Sequence, residues 1–300
     1  MRLYALLVAS IMLYATESKA QEKKHFHIAP VGEQEKVSLN VNASTVNCRI
    51  NSTFNTHVVS VYGYPTSAGF NPVAQSEVES GIRNVTLDFE DGTPKDLSSS
   101  LSAHVFGGFA ANNTGPEKPW YIYLSRSVSY DLSLHYGMGS SMVDLSGLAV
   151  ENLKVNTGSA NIRIGYAANT PNEVAMDTLY TKVDLGVLQL DQINLSRAKD
   201  IIADVGFGKL TMNFSDDIIQ TSRVQASIGA GSLTVIFPET ENPVIVRLNN
   251  SPLCRITMPK SFRKIQNNTF INKYYSQDAA NLTSFDIDVS VGNVEFMMAE

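Results

Sequence analysis

The sequence is short of the residues from which most catalytic and metal sites are built. It has two cysteines, Cys48 and Cys254, and five histidines in 300 residues. Neither cysteine has the spacing of a zinc site or a redox pair. An oxidising compartment would permit a bridge between them. As small apolar side chains they are expected instead to be buried free thiols. No serine sits in a Gly-x-Ser-x-Gly elbow. Gly137-x-Gly139 and Gly206-x-Gly208 open no helix, so neither cradles a phosphate. The formal net charge of −6 leaves no basic surplus. That argues against nucleic acid as a partner, because sequence-independent binding rests on basic patches.

Long hydrophobic runs are also lacking, except at the start. Arg2 precedes an apolar run over residues 3–14, and a polar stretch ends in Ser18-Lys19-Ala20. A positive start, a short apolar run and a small-x-small exit predict a secretory signal peptide over residues 1–20. The run is shorter than the roughly 20 residues that span a bilayer. No later segment predicts a membrane span in the mature chain. The protein is therefore expected to be exported, to the periplasm or beyond the cell.

What the sequence does have is a repeat. From residue 130 a pattern recurs of apolar-x-apolar, a bend with a glycine or small residue, then apolar-x-apolar again. One copy runs Leu134, Tyr136, Gly139, Val143, Leu145, and the next Leu153, Val155, Gly158, Ile162, Ile164. Further copies read Val174, Met176, Leu179, Val183, Leu185; then Ile201, Ala203, Gly206, Leu210, Met212; then Val224, Ala226, Gly229, Leu233, Val235. A last copy, Phe285, Ile287, Ser290, Val294, Phe296, closes the chain, and an early match lies at Leu39, Val41, Ser44, Cys48, Ile50. Alternation means one face buried and one wet. A recurrence of about twenty-odd residues suits the coil of a solenoid, with insertions in surface loops.

Stacked coils place like residues over like. Val143, Ile162, Val183, Leu210 and Leu233 are predicted to form one buried column. The outward residues Asp144, Arg163 and Asp184 are predicted to form an ion-pair ladder on neighbouring rungs. The alternative for Asp144 and Asp184 is an acidic metal site, which Arg163 between them would oppose.

The remaining chain divides accordingly. Residues 21–37 are polar and of mixed charge, a flexible lead-in. His25 and His27 within it have His-x-His spacing, but a segment beside the new terminus is expected to be unstructured. Residues 38–300 form the solenoid domain, with irregular coils and a cap over about 38–129, for which a separate small β domain is the alternative, and regular coils over about 130–300. Strands are expected at 39–50, 58–64 and 84–89, with one or two more in 120–134. Residues 65–82 and 96–118 are expected to be loops. An insertion at 257–275 combines Lys260, Arg263, Lys264 and Lys273 with Phe262, Phe270, Tyr274 and Tyr275. It reads either as a polyanion-binding patch or, preferably, as a solvated insertion packing its aromatics on the solenoid. His135 falls on an outward register.

Residues 132–148 (LSLHYGMGSSMVDLSGL), 153–162 (LKVNTGSANI) and 228–235 (IGAGSLTV) resemble the bacterial "putative adhesin" and toast-rack β-solenoid families. The leader ending Lys19-Ala20-Gln21 is similar to those of secreted Bacteroidetes proteins. The resemblance implies an extracytoplasmic, all-β solenoid without catalytic residues. Accordingly no catalytic, cofactor-binding or metal-ligating residue is singled out. The chain is expected to be a non-enzymatic binding or structural protein of the cell envelope, with an envelope protein or a glycan as its partner. Two alternatives stand beside this reading. One is a carbohydrate-active enzyme, which needs carboxylates on adjacent rungs with aromatics nearby. The other is a sensory or regulatory envelope protein, which would display aromatics around Trp120 or Phe262.

Overall fold

The structure, a computed structural model, describes residues 23–30, 32, 36–64, 72–89, 118–215, 220–238, 241–266 and 268–299. The expected leader, His104 and nearly all of the loop expected at 96–118 lie outside the described residues.

A strand with one apolar face must bury that face against another. Here nine two-strand rungs among the described residues do so, each giving one strand to each of two sheets in which neighbouring rungs pair in parallel. From one end of the pile the pairs are β6 (Ile82–Asp88) with β7 (Trp120–Ser125), β2 (Lys36–Ala43) with β3 (Cys48–Thr53), β8 (Ser129–Tyr136) with β9 (Ser140–Asp144) and β10 (Ala149–Thr157) with β11 (Asn161–Gly165). They continue with β12 (Met176–Val183) and β13 (Val187–Leu190), β14 (Ala198–Val205) and β15 (Lys209–Asn213), and β16 (Ser222–Ile228) and β17 (Ser232–Phe237). The far end is built by β22 (Thr283–Val289) with β23 (Asn293–Met298), then β18 (Val244–Asn250) with β19 (Arg255–Thr257). The first-named strands form sheet I and the second-named form sheet II. The expected all-β solenoid is what the chain adopts.

In sheet I one inward row runs Leu39, Leu132, Leu153, Leu179, Ile201, Val224, Phe285, Val246. All eight are buried. Each such aliphatic side chain contributes roughly 1.5–3 kcal/mol on burial. The bends are tight enough to require glycine: a Cβ on Gly208 would lie 2.5 Å from the Gly186 carbonyl oxygen, and one on Gly231 or Gly292 would collide with the carbonyl of the rung below.

The predicted column is divided between the sheets. Ile162, Leu210 and Leu233 share a row of sheet II through Leu188. Val143 stands in the neighbouring row, opposite Ile164. Val183 belongs to sheet I, opposite Thr157 and Val205. A slip of two residues keeps every apolar side chain inward, so a pattern of period two cannot detect it. In the third coil Thr181, fully buried although polar, hides the middle of the strand from an apolar search. Leu179 is thus a strand residue, and the bend glycine is Gly186.

The ion-pair ladder falls with the register. Arg163 has Met142 and Gln189 as its sheet neighbours, and its Nε donates to Asp191 Oδ2 at 2.5 Å. Asp144 accepts from the backbone N–H groups of Ser146 and Ala167. Asp184 sits at the bend, 3.4 Å from Lys182 Nζ. Asp144 and Asp184 therefore close opposite ends of the sheet II strands and share no site.

Chain order departs from spatial order at both ends. The last coil of the sequence does not end the pile: β22 pairs with both β16 and β18, and β23 with both β17 and β19. Likewise β2 lies between β6 and β8, although β6 follows β2 by a long excursion. Beyond the terminal rungs come antiparallel strands. β4 (Val59–Gly63) and then β1 (Lys24–Ile28) extend sheet II from β7. β5 (Val73–Glu79) covers β6, and β21 (Thr269–Ile271) with β20 (Arg263–Gln266) covers β18. These strands form the cap, and charged edge strands such as β20 discourage pairing with other chains. Part of the expected lead-in is therefore strand β1, and part of the expected loop at 65–82 is strand β5. Partner strands complete their hydrogen bonding, which local composition does not record. Aromatic side chains fill both core ends: Phe89 against Trp120 (5.3 Å between rings) at one, and Phe237, Phe285 and Phe296 at the other.

Candidate functional site

The outward face of sheet II changes character at its β1 end. In β7, Trp120, Ile122 and Leu124 are buried, so Tyr121 and Tyr123 point outward. The same alternation in β4 buries Val59 and Val61 and turns Tyr62 out. In β1 it packs Phe26 and Ile28 toward the core and exposes His25 and His27. Register then gathers these residues. His25 lies opposite Tyr62, Tyr62 opposite Tyr121, and Tyr121 opposite Arg49. A second row runs His27, Ser60, Tyr123, Asn51.

The rings touch. Tyr121 and Tyr123 are nearly parallel, 12° apart with centroids at 6.4 Å. Tyr62 meets Tyr123 edge-on at 5.9 Å and 74°. His27 packs on Tyr62 at 5.3 Å and on His57 at 4.8 Å, and shares a hydrogen bond with Ser60 Oγ at 3.1 Å. Beside them lies a groove of about 580 Å³, lined by Tyr62, Tyr64, Tyr121, Tyr123, Lys23 and Lys118 with Thr53 and Asn55. This is within the usual size of a ligand site. The Lys23 ammonium lies 4.9 Å from the centre of the Tyr62 ring, and that of Lys118 lies 4.8 Å from Tyr64. No carboxylate is among its described lining residues. At the edge of the patch Arg126 stacks on the exposed Phe54 ring at 4.6 Å and donates to Ser52 Oγ. Partial desolvation where it packs on its neighbours, and then the nearby charges of His57 and His25, hold the His27 imidazole below its ordinary pKa.

A model of the N-terminal domain of toast_rack, DUF2154, matches residues 16–187. This chain belongs to the toast-rack family. The groove lies wholly inside the matched toast-rack segment. Two solved structures are similar to this chain. A putative cell adhesion protein from Clostridium sporogenes ATCC 15579 is 16% identical, with 93% of this chain and 99% of that chain covered and a TM-score of 0.45. A putative adhesin from Bacteroides fragilis NCTC 9343 is 12% identical, with 93% and 98% covered and a TM-score of 0.35. No curated protein matches the chain.

The other positions singled out in this toast-rack sequence are scattered. Cys48 and Cys254 are both free. Cys48 is fully buried, which pushes its thiol up to about 12, whereas Cys254 is half-buried. His135 is outward and half-buried in sheet I. The Asn156 amide donates to its Nδ1 at 3.1 Å, which leaves Nε2–H to meet Ser133 Oγ at 3.0 Å. In the 257–275 insertion Phe262 and Phe270 pack on the core, while Lys264 and Lys273 lie over Phe270 and Tyr274. Trp120 is wholly buried and Phe262 partly so, but around Trp120 the outward Tyr121, Tyr123 and Tyr62 form the kind of aromatic patch that the regulatory alternative also calls for. Among the described residues, no group of three His, Cys, Asp or Glu side chains is placed to hold a metal ion. No helix among them is long and apolar enough to cross a membrane.

No motif in the sequence marks the groove tyrosines as a site. A signal was present in residues 120–124 (WYIYL): alternation that buries Trp120, Ile122 and Leu124 must expose two tyrosines two residues apart. Tyr62, His25 and His27 join them through antiparallel pairing with no local sequence mark.

Proposed function

We propose that this toast-rack protein is a non-catalytic, adhesin-like binding module, exported by a leader over residues 1–20. Its ligand lies on the tyrosine face of β1, β4 and β7. The observation that carries this reading is the cross-strand gathering of Tyr62, Tyr121 and Tyr123 on a rigid sheet. Tyrosine supplies large contact area at small entropic cost and keeps a polar tip for water or ligand. A solenoid holds such a surface without rearrangement. In this reading the binding module is the solenoid of residues 38–300 together with β1, which joins it as the outermost strand of sheet II.

The enzymatic alternative has one observation to weigh. Asp204, Asp286 and Asp288 line a depression with Tyr180 on sheet I. Asp204 and Asp288 are exposed on an open face. Asp286 accepts from Arg247, and Asp288 from Asn249. Both hydrogen-bonded carboxylates are thus tied to side chains of the neighbouring rung, and the face forms no enclosed cleft around them.

The test is capture of glycans and envelope proteins on the immobilised protein, compared with Tyr121→Ala. A ligand retained by the wild type and lost from the variant supports the reading. Capture indifferent to Tyr121, Tyr62 and Tyr123 alike overturns it.

A further inference from the structure

The groove has a chemistry narrower than binding in general. Three tyrosine rings line it: Tyr121 and Tyr123, 12° from parallel, and Tyr62, at 74° to Tyr123. Flat faces of this kind take the C–H face of a pyranose ring, which is apolar while its rim is not. The rim hydroxyls then need polar partners, and Thr53, Asn55 and the tyrosines line the same groove. Peptide side chains would instead favour an enclosed apolar pocket, and this groove is open and mixed in polarity.

Charge adds the second requirement. Lys23 and Lys118 line the groove, Arg49 follows Tyr121 along the row, and no described lining residue is acidic. This occurs in a chain whose formal charge is −6. A local cationic groove on an acidic protein selects an anion that is both sparse in charge and bound at short range. Long-range steering of a dense polyanion is opposed by the rest of the surface. Carboxylates meet lysine by charge-assisted hydrogen bonds, the stronger kind.

We infer that the groove binds an acidic saccharide, its pyranose ring against Tyr121 and Tyr123 and its carboxylate between Lys23 and Lys118. This rests on the groove being the ligand site. Single-stranded nucleic acid also stacks on aromatics beside lysines, but its charge at every nucleotide is disfavoured by the acidic whole.

The test is calorimetric titration of the full protein with three probes: sialyllactose, which carries a single carboxylate, neutral lactose, and an oligothymidylate. Sialyllactose should bind at least about tenfold more tightly than lactose, a difference of about 1.4 kcal/mol. Joint substitution Lys23→Gln and Lys118→Gln should abolish that preference without lowering Tm. Tyr121→Ala should weaken saccharide binding and Tyr121→Trp, which keeps a flat face, should restore it. Equal affinity for the two saccharides, or tighter binding of oligothymidylate, overturns the inference. So does absence of saccharide binding in a protein whose capture of some other ligand still depends on Tyr121, a result that leaves the groove itself standing as the ligand site.

Discussion

Gly63 lies against the indole of Trp120 so closely that a methyl group placed on it would overlap the ring. Trp120 is fully buried at the end of the core, so it cannot move aside. Tyr62 adjoins this contact and Tyr121 adjoins Trp120, which ties the groove to the packing beneath it. Gly63→Ala should cost about 1–3 kcal/mol by overpacking. It should also displace β4 and weaken ligand capture. Urea unfolding of the variant beside the binding assay checks both.

The inward row of sheet II predicts a larger loss. Leu233 is fully buried between Leu210 and Val294. Leu233→Ala should destabilise by about 2–5 kcal/mol, read as a lowered urea midpoint. A loss under half the lower figure would mean that these rungs do not stack as described.

Arg163 separates the two registers. A double-mutant cycle with Asp191 should give a coupling of about 0.2–1 kcal/mol, as for exposed ion pairs. The corresponding cycle with Asp144 should give none. Coupling to Asp144 instead would restore the ladder that the sequence suggested.

His27 makes the capping strand sensitive to acid. Its folded pKa lies below the ordinary 6.5 because partial desolvation and the neighbouring His57 and His25 disfavour the charged form. As pH falls through 6.5, the unfolded chain takes up the proton before the folded one does. The contribution to stability is therefore full above that value and is lost as pH falls toward the folded pKa. Hydrogen exchange of β1 amides should quicken on mild acidification more than that of β14. His27→Gln should remove much of the difference.

Cys48 works in the opposite direction. Burial raises its thiol from 9.0 to about 12, so above pH 9.0 the unfolded chain ionises first and stability falls across that interval. In the native protein at neutral pH, a thiol reagent should modify Cys254 well before Cys48. Equal rates would show that the β3 end of the core opens readily.

Much of this architecture was legible in the chain. The alternation of Leu153-x-Val155 and Ile162-x-Ile164 around Gly158 marks a two-strand coil, and the copies after it mark a pile. Illegible were the slip of two residues that separates Val143 from Ile162, the buried Thr181, and the partners of Arg163. Each depends on which residue of one rung faces which residue of the next, and a local pattern is identical for either choice. The groove was half legible: Tyr121 and Tyr123 follow from alternation, while Tyr62, His25 and His27 arrive by antiparallel pairing.

By itself the sequence determined that the chain builds short two-faced strands, turned by glycine bends and repeated often enough to bury a continuous core. It did so because a polar–apolar period of two, interrupted at fixed points, admits few other ways of hiding apolar surface. Only the tertiary structure decided the order of the rungs, with β22 and β23 inserted inside β18 and β19, and the gathering of three tyrosines on one face. Those outcomes rest on contacts between residues far apart in the chain, whose energies no local run of residues contains.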